Sequence, residues 1–200
     1  MSAAAARLAL LLSAVLLGVA PADAAEWQVR PFIGLTFAGS TTFVDFEDAA
    51  GSPNVVFGAS GVWQGEIVGV DVDVGHAPGF FQRGDRHLVV DSSVTTVTGN
   101  IVVSLPRRLT EYTLRPYVVG GAGVMHVNID DALGALRISN SLAAIDFGGG
   151  AVGFVTRQVG IAWEIRRFRS FSENRELRGR SVAPEQLSFW RATMAIAIRY

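Results

Sequence analysis

The sequence predicts an all-β chain, an eight-stranded antiparallel up-and-down transmembrane β-barrel. Three observations predict it. Apolar and polar residues alternate with period two through eight successive segments, and only a strand puts such residues on opposite faces. The segments run to roughly 10 to 14 residues, nearer the 9 to 11 of a tilted membrane-crossing strand than the 5 or 6 of a soluble one. The connections alternate between short and long, as the turns and loops of an outer-membrane barrel do.

In the first segment, Trp27, Val29, Ile33, Leu35 and Phe37 share one face, opposite Glu26, Gln28, Arg30 and Thr36. The second, Asn54 to Gln64, puts Val55, Phe57, Ala59 and Trp63 opposite Ser60 and Gln64. The third is the clearest: Val68, Val70, Val72 and Val74 oppose Gly69, Asp71, Asp73 and Gly75. In the fourth, Ser92 to Leu105, Val97, Ile101, Val103 and Leu105 oppose Thr96, Thr98, Asn100 and Ser104. The fifth, Tyr112 to His126, is apolar on both faces and its orientation stays open. The sixth, Ser141 to Val155, sets Ile145, Phe147, Ala151 and Val155 against Asp146. The seventh, Gln158 to Ser170, sets Val159, Ile161, Trp163 and Ile165 against Glu164 and Arg166. The eighth sets Trp190, Met194, Ile196, Ile198 and Tyr200 against Arg191, Thr193 and Arg199. Short turns are expected at Gln64-Gly65, Pro106 to Glu111 and Thr156-Arg157. Longer loops are expected at Ala38 to Pro53, His76 to Asp91, Val127 to Asn140 and Phe171 to Ser188.

Composition narrows the function. Half of the 200 residues are hydrophobic and only 18% are charged, below the roughly 25% of a soluble domain. The formal net charge of -1, with no basic stripe, argues against a nucleic-acid partner, whose binding needs clustered cations. The absence of Cys removes disulfides and thiolate metal sites. Arg7, the apolar run Leu8 to Val19, and Ala22-Asp23-Ala24 form a secretory leader with an A-x-A cleavage site. The expected organisation is a signal peptide over residues 1–25 and a barrel domain over 26–200.

Aromatic residues on the apolar faces suit the girdles of a barrel in lipid. Trp27, Trp63 and Tyr200 would mark the periplasmic interface, and Phe37, Phe57 and Trp190 the outer one, while Trp163 sits nearer mid-strand. The alternative is a soluble lipocalin-like barrel with its apolar faces inward around a ligand. Alternation alone does not say which face is inside. The small and mixed-charge polar faces, and the aromatic residue closing the last strand, favour lipid outside.

With its leader, the "WQVRPFIGLTF" first strand, the "LRPYVVGGAGV" fifth strand and the "TMAIAIRY" ending, the mature chain resembles the OmpA-type and OmpW-type eight-stranded outer-membrane barrels of the porin family. It departs from them in ending on Tyr200 where Phe is commonest. The resemblance implies a bacterial outer-membrane location, a lumen filled by side chains, and assembly by the outer-membrane insertion machinery. The expected partners are outer-membrane lipids and lipopolysaccharide, the expected state a monomer, and no cofactor or metal is expected.

The inferred lumen residues are Glu26, Arg30, Asp71, Asp73, Asp146, Glu164, Arg166, Arg191 and Arg199. Charges taken from water need partners, so these are expected to form a salt-bridge plug; the alternative is a narrow ion path gated by the same pairs. Asp71 and Asp73 find their simplest partners in Arg166 or Arg191. The expected function is non-enzymatic: envelope structure, surface interaction through the outer loops, or passage of a small solute. A lipid-modifying enzyme is the alternative, drawing on His76, His87 or His126 with Asp85, Ser92 or Asn128 nearby. No catalytic motif accompanies these histidines.

Overall fold

The computed structural model describes residues 25–41, 53–81, 89–106, 109–110, 114–131, 137–171, 176–177, 180–181 and 186–200. The expected leader, His87, Asp85 and much of the expected long connections lie outside them.

Eight strands close a barrel: β1 (Glu26–Thr41), β2 (Asn54–Gln64), β3 (Val68–Pro78), β4 (Val89–Ser104), β5 (Leu114–Asp131), β6 (Arg137–Phe154), β7 (Val159–Phe171) and β10 (Leu187–Arg199). The two-residue strands β8 (Glu176–Leu177) and β9 (Arg180–Ser181) pair with each other in the connection before β10. Sequential barrel strands pair antiparallel, and β10 returns to β1, with Phe32 opposite Ala195 and Phe37 opposite Trp190. Closure leaves no row of unpaired backbone groups at a sheet edge.

The period-two pattern decides the two faces of the wall. On β3, Val68, Val70, Val72 and Val74 are outermost, while Asp71 and Asp73 are buried. Ile33, Leu35, Ile101, Ile145, Phe147, Trp163 and Ile196 are likewise exposed on the outside. Glu26, Arg30, Asp146, Arg166 and Arg191 are buried inside. A soluble lipocalin-like wall would have the opposite sense.

β5, whose orientation the alternation leaves open, turns Arg115, Tyr117, Val119, Met125 and Val127 inward and Leu114, Val118 and Val124 outward. Its glycines let the neighbouring strand press close. A Cβ on Gly121 would lie 2.1 Å from Asn100 Oδ1 and 2.2 Å from the Gly99 carbonyl oxygen.

The strands run farther than the alternation predicts. β5 and β6 stay paired out to Asp130 opposite Arg137, which takes up most of the expected loop from Val127 to Asn140. β3 continues to Pro78 and β4 begins at Val89, shortening the expected loop from His76 to Asp91. Paired strands satisfy each other's backbone groups, so both hairpins run on past the expected ends, with Val127 and Ala77 still buried in the core. β1 also passes its expected end at Phe37 through a bulge between Phe37 and Ser40, with Ala38 at φ 48°. A bulge lets a strand bend and twist without ending. The short turns are tight. Gly65 N–H donates to the Val68 carbonyl at 3.0 Å, and Thr156 Oγ1 accepts from Val159 N–H at 2.9 Å.

Candidate functional site

The site is the lumen, and it is filled in layers. Inward alternation on β3, β6, β7 and β10 brings four carboxylates and two guanidiniums to its middle. Arg166 is the hub. Its NH2 lies 2.7 Å from Asp71 Oδ2, its NH1 3.1 Å from Asp146 Oδ2 and its Nε 2.5 Å from Glu164 Oε1. One planar fork of five N–H donors serves three acids at once from fixed directions. Arg191 holds Asp73 with two parallel bonds, NH1 to Oδ1 and NH2 to Oδ2, each 2.8 Å. Tyr117 O–H donates to Glu164 at 3.0 Å, and Asn100 Nδ2 donates to Asp71 at 3.1 Å. The side chains of Arg166 and Arg191 are 2% and 1% exposed, so these charges have exchanged water for each other.

The network is not fully satisfied. Asp71, Asn100 and Asp146 stand in one register row across β3, β4 and β6, with Gly121 of β5 between the last two. The Oδ1 atom of each has no hydrogen-bond partner among the described residues, and neither has Arg191 Nε. Among the described residues no group of three or more His, Cys, Asp or Glu is arranged to hold a metal ion.

Toward the short turns the lumen stays polar. Arg199 pairs with Glu26 at 3.0 Å. Gln28 donates to Glu26 at 2.7 Å and accepts from Arg30 Nε at 2.9 Å, so Arg30 joins the same chain of bonds through an amide. Arg30 also lies over the Tyr117 ring, 5.2 Å from its centroid. Arg115 donates to the carbonyls of Leu105 (3.0 Å), Gly65 (3.1 Å) and Glu66, tying two turns together. Below them a vestibule of about 590 Å³ is lined by Glu26, Arg115, Phe154, Arg157 and Arg199.

Toward the long connections the filling is aromatic. Pro78 and Gly79, the latter at φ 65°, turn the chain after β3 back into the mouth, where Phe80 and Phe81 are buried. Only a residue tolerant of positive φ turns so sharply. The inserted segment is tied down: Asn54 Nδ2 donates to the Phe80 carbonyl at 2.7 Å, and Ser92 Oγ accepts from Phe81 N–H at 3.1 Å. Phe80 meets Phe189 edge-on at 5.0 Å, and Phe189 stacks on Phe168 at 5.2 Å. Arg191 joins the two layers, its guanidinium 4.7 Å from the ring centroids of both Phe32 and Phe168.

The structure therefore brings the nine expected lumen residues inside the barrel and divides them between the middle and the turn end. It corrects the expectation of a polar lumen, because the mouth is packed with phenylalanine. The signal was present in part. Phe168 follows Arg166 by two residues, and Phe189 precedes Arg191 by two, so each shares the inward face. Phe80 and Phe81 carry no such signal, since they reach the lumen from a connection. Of the expected interface aromatics, Trp27 (61% exposed), Phe57 and Tyr200 stand outside, and Phe37, Trp63 and Trp190 are half-buried on the outer wall.

Of the three histidines, His87 lies outside the described residues, His126 stands at the strand position expected of it, and His76 is on a strand and not in the expected loop. His76 is on β3 and His126 on β5, both facing outward. His76 Nδ1 meets Thr95 Oγ1 at 2.9 Å, and the expected neighbour Ser92 points into the mouth instead. His126 Nδ1 meets Ser141 Oγ at 2.9 Å, and its Nε2 faces Ser139 at 3.4 Å. Both ring nitrogens thus face serines, and among the described residues no carboxylate orients the ring as a hydrolase triad requires.

No protein-family model matches the sequence, and no curated protein does. Solved structures do match. Neisserial surface protein A superposes with a TM-score of 0.63 at 10% identity, over 89% of this chain and 100% of that one. The outer membrane protein OprG from Pseudomonas aeruginosa matches at 0.54 and 12% identity, over 88% and 96%. Outer Membrane Protein W of E. coli matches at 0.52 and 14% identity, over 90% and 100%. What is shared with them is the closed eight-stranded fold.

Proposed function

We propose that the chain is an exported, integral outer-membrane protein whose barrel is sealed, and that it serves envelope structure or surface interaction and not solute passage. The layered lumen carries this reading. Phe80, Phe168 and Phe189 pack across the mouth, and directly beneath them Arg166 and Arg191 bind carboxylates from β3, β6 and β7. An eight-stranded barrel is only wide enough for side chains to fill, and here they do so in two consecutive layers. The outward belt of Val, Ile, Leu, Phe and Trp far exceeds the few hundred Å² of contiguous apolar surface that a soluble monomer exposes, which supports hydrocarbon as its neighbour. The short turns then face the periplasm and the long connections the cell exterior, with lipopolysaccharide as the surrounding lipid. The chain is a monomer assembled by the outer-membrane insertion machinery.

Planar-bilayer recording of the refolded mature chain tests the seal. The expected trace has no discrete conductance steps; regular steps with a fixed ion selectivity would show an open path and refute it. A substitution tests the belt. Val72→Arg on the outside of β3 should cost about 2–4 kcal/mol of folding stability in lipid if it sits near the bilayer centre. A cost near zero would mean that this face meets water.

A further inference from the structure

Near the loop end, the outer wall differs between its two sides. Across β6, β7, β10 and β1 one register row reads Phe147, Arg167, Trp190, Phe37, and the next row toward the loops reads Ile145, Arg169, Ser188, Ser40. Both arginines sit on the outward face of β7, two residues apart. Arg167 lies 5.4 Å over the Trp190 ring and donates to Ser188 Oγ at 3.2 Å; Ser188 Oγ in turn meets Ser40 Oγ at 2.8 Å. Trp190 also packs edge-on against Phe147 at 6.3 Å. Neither row contains a carboxylate. Arg169 is exposed and makes no hydrogen bond or ion pair among the described residues. Across β3 to β6 the corresponding outward row is His76, Thr95, His126, Ser141, whose side chains bond with one another in pairs.

We propose that Arg167 and Arg169, with the Ser188 and Ser40 hydroxyls, form a binding site for the phosphate of an outer-leaflet glycolipid headgroup. The inference rests on the membrane reading above. Two guanidiniums side by side with no acid beside them among the described residues repel each other and favour an anion between them, and phosphate matches their paired donors. Trp190 and Phe147 hold Arg167 by cation–π contact and packing, so that fork is pre-arranged. The wall below the rows continues as Ile165 and Leu35, both exposed, which offers acyl chains a surface and commits the site to a lipid over a free anion. Outward aromatic rings at the same place mark the depth at which hydrocarbon gives way to headgroups.

The test is a titration of the refolded chain in zwitterionic detergent with bisphosphorylated lipid A, its dephosphorylated counterpart and inorganic phosphate, with heat-modifiable migration checking the fold of each variant. Saturable binding of the phosphorylated lipid is expected, about tenfold weaker for each Arg→Gln change at 167 and 169. The His76→Gln/His126→Gln double variant on the other wall should bind as the parent does. Equal binding of the dephosphorylated lipid, competition by millimolar inorganic phosphate, or undiminished binding by Arg167→Gln/Arg169→Gln would each overturn the proposal. A chain that enters phosphatidylcholine vesicles yet shows no preference for lipid A sinks this site alone. A chain that stays in water without detergent sinks the membrane reading beneath it.

Discussion

β7 sends Arg166 into the middle of the lumen and, two residues later on the same face, Phe168 into its mouth. The two side chains are equally enclosed, at 2% and 0% exposure, but different rules hold them there. Arg166 is retained by directional bonds to Asp71, Asp146 and Glu164, and each bond is needed because an unpaired buried charge is costly. Phe168 is retained by area and shape against Phe189 and the face of Arg191, where loss of contact costs in proportion to the void. The middle is therefore strict about partners and the mouth about volume. Arg191 belongs to both, with Asp73 on its bonding edge and rings on its faces.

Substitutions can pull these rules apart. The largest effect is expected for Arg166→Ala, which leaves three carboxylates facing one another in a closed space. The loss should reach or exceed the 3–5 kcal/mol typical of breaking one buried pair, read from urea unfolding in lipid vesicles. A loss below about 1 kcal/mol would mean that water fills the middle and screens the acids. Phe168→Ala should cost about 3 kcal/mol and should do so equally at low and high salt, since no charge is removed. A strong salt dependence would show that the ring chiefly shields Arg191 and does not simply fill space. The smallest effect is a difference. Arg191→Met with Asp73→Asn should be more stable than Arg191→Met alone by about 1–3 kcal/mol, because the second change removes the acid that the first orphans. Additive losses in that cycle would separate Asp73 from Arg191 energetically despite their 2.8 Å contacts.

Legibility followed the same division. On β3 the valines and aspartates alternate without exception, so which side chains share a face could be read directly; the sense of the wall, and with it the inward place of Asp71 and Asp73 and arginines as their partners, needed the mixed charges of the polar faces as well. Which arginine serves which acid could not. Arg166 and Asp71 are 95 residues apart and Arg191 and Asp73 are 118 apart, so each pairing depends on how far every strand slides against the next around the closed wall. Phe80 and Phe81 were illegible because a connection has no facial period to betray an inward turn. The two outward arginines of β7 were readable as outward by parity, but their company was not: Trp190 and Ser188 depend on the register of β7 against β10, and Ser40 on the closure of β10 against β1.

The amino-acid order alone determined the element type, the number of barrel strands and which side chains share a face, because a strand's period of two is a local property needing no partner. Closure and register decided the rest: the assignment of acids to bases, the aromatic mouth and the arginine shelf outside. Most of these are contacts between different strands, set by how each slides against the next, and the ring of them is complete only when the first strand meets the last.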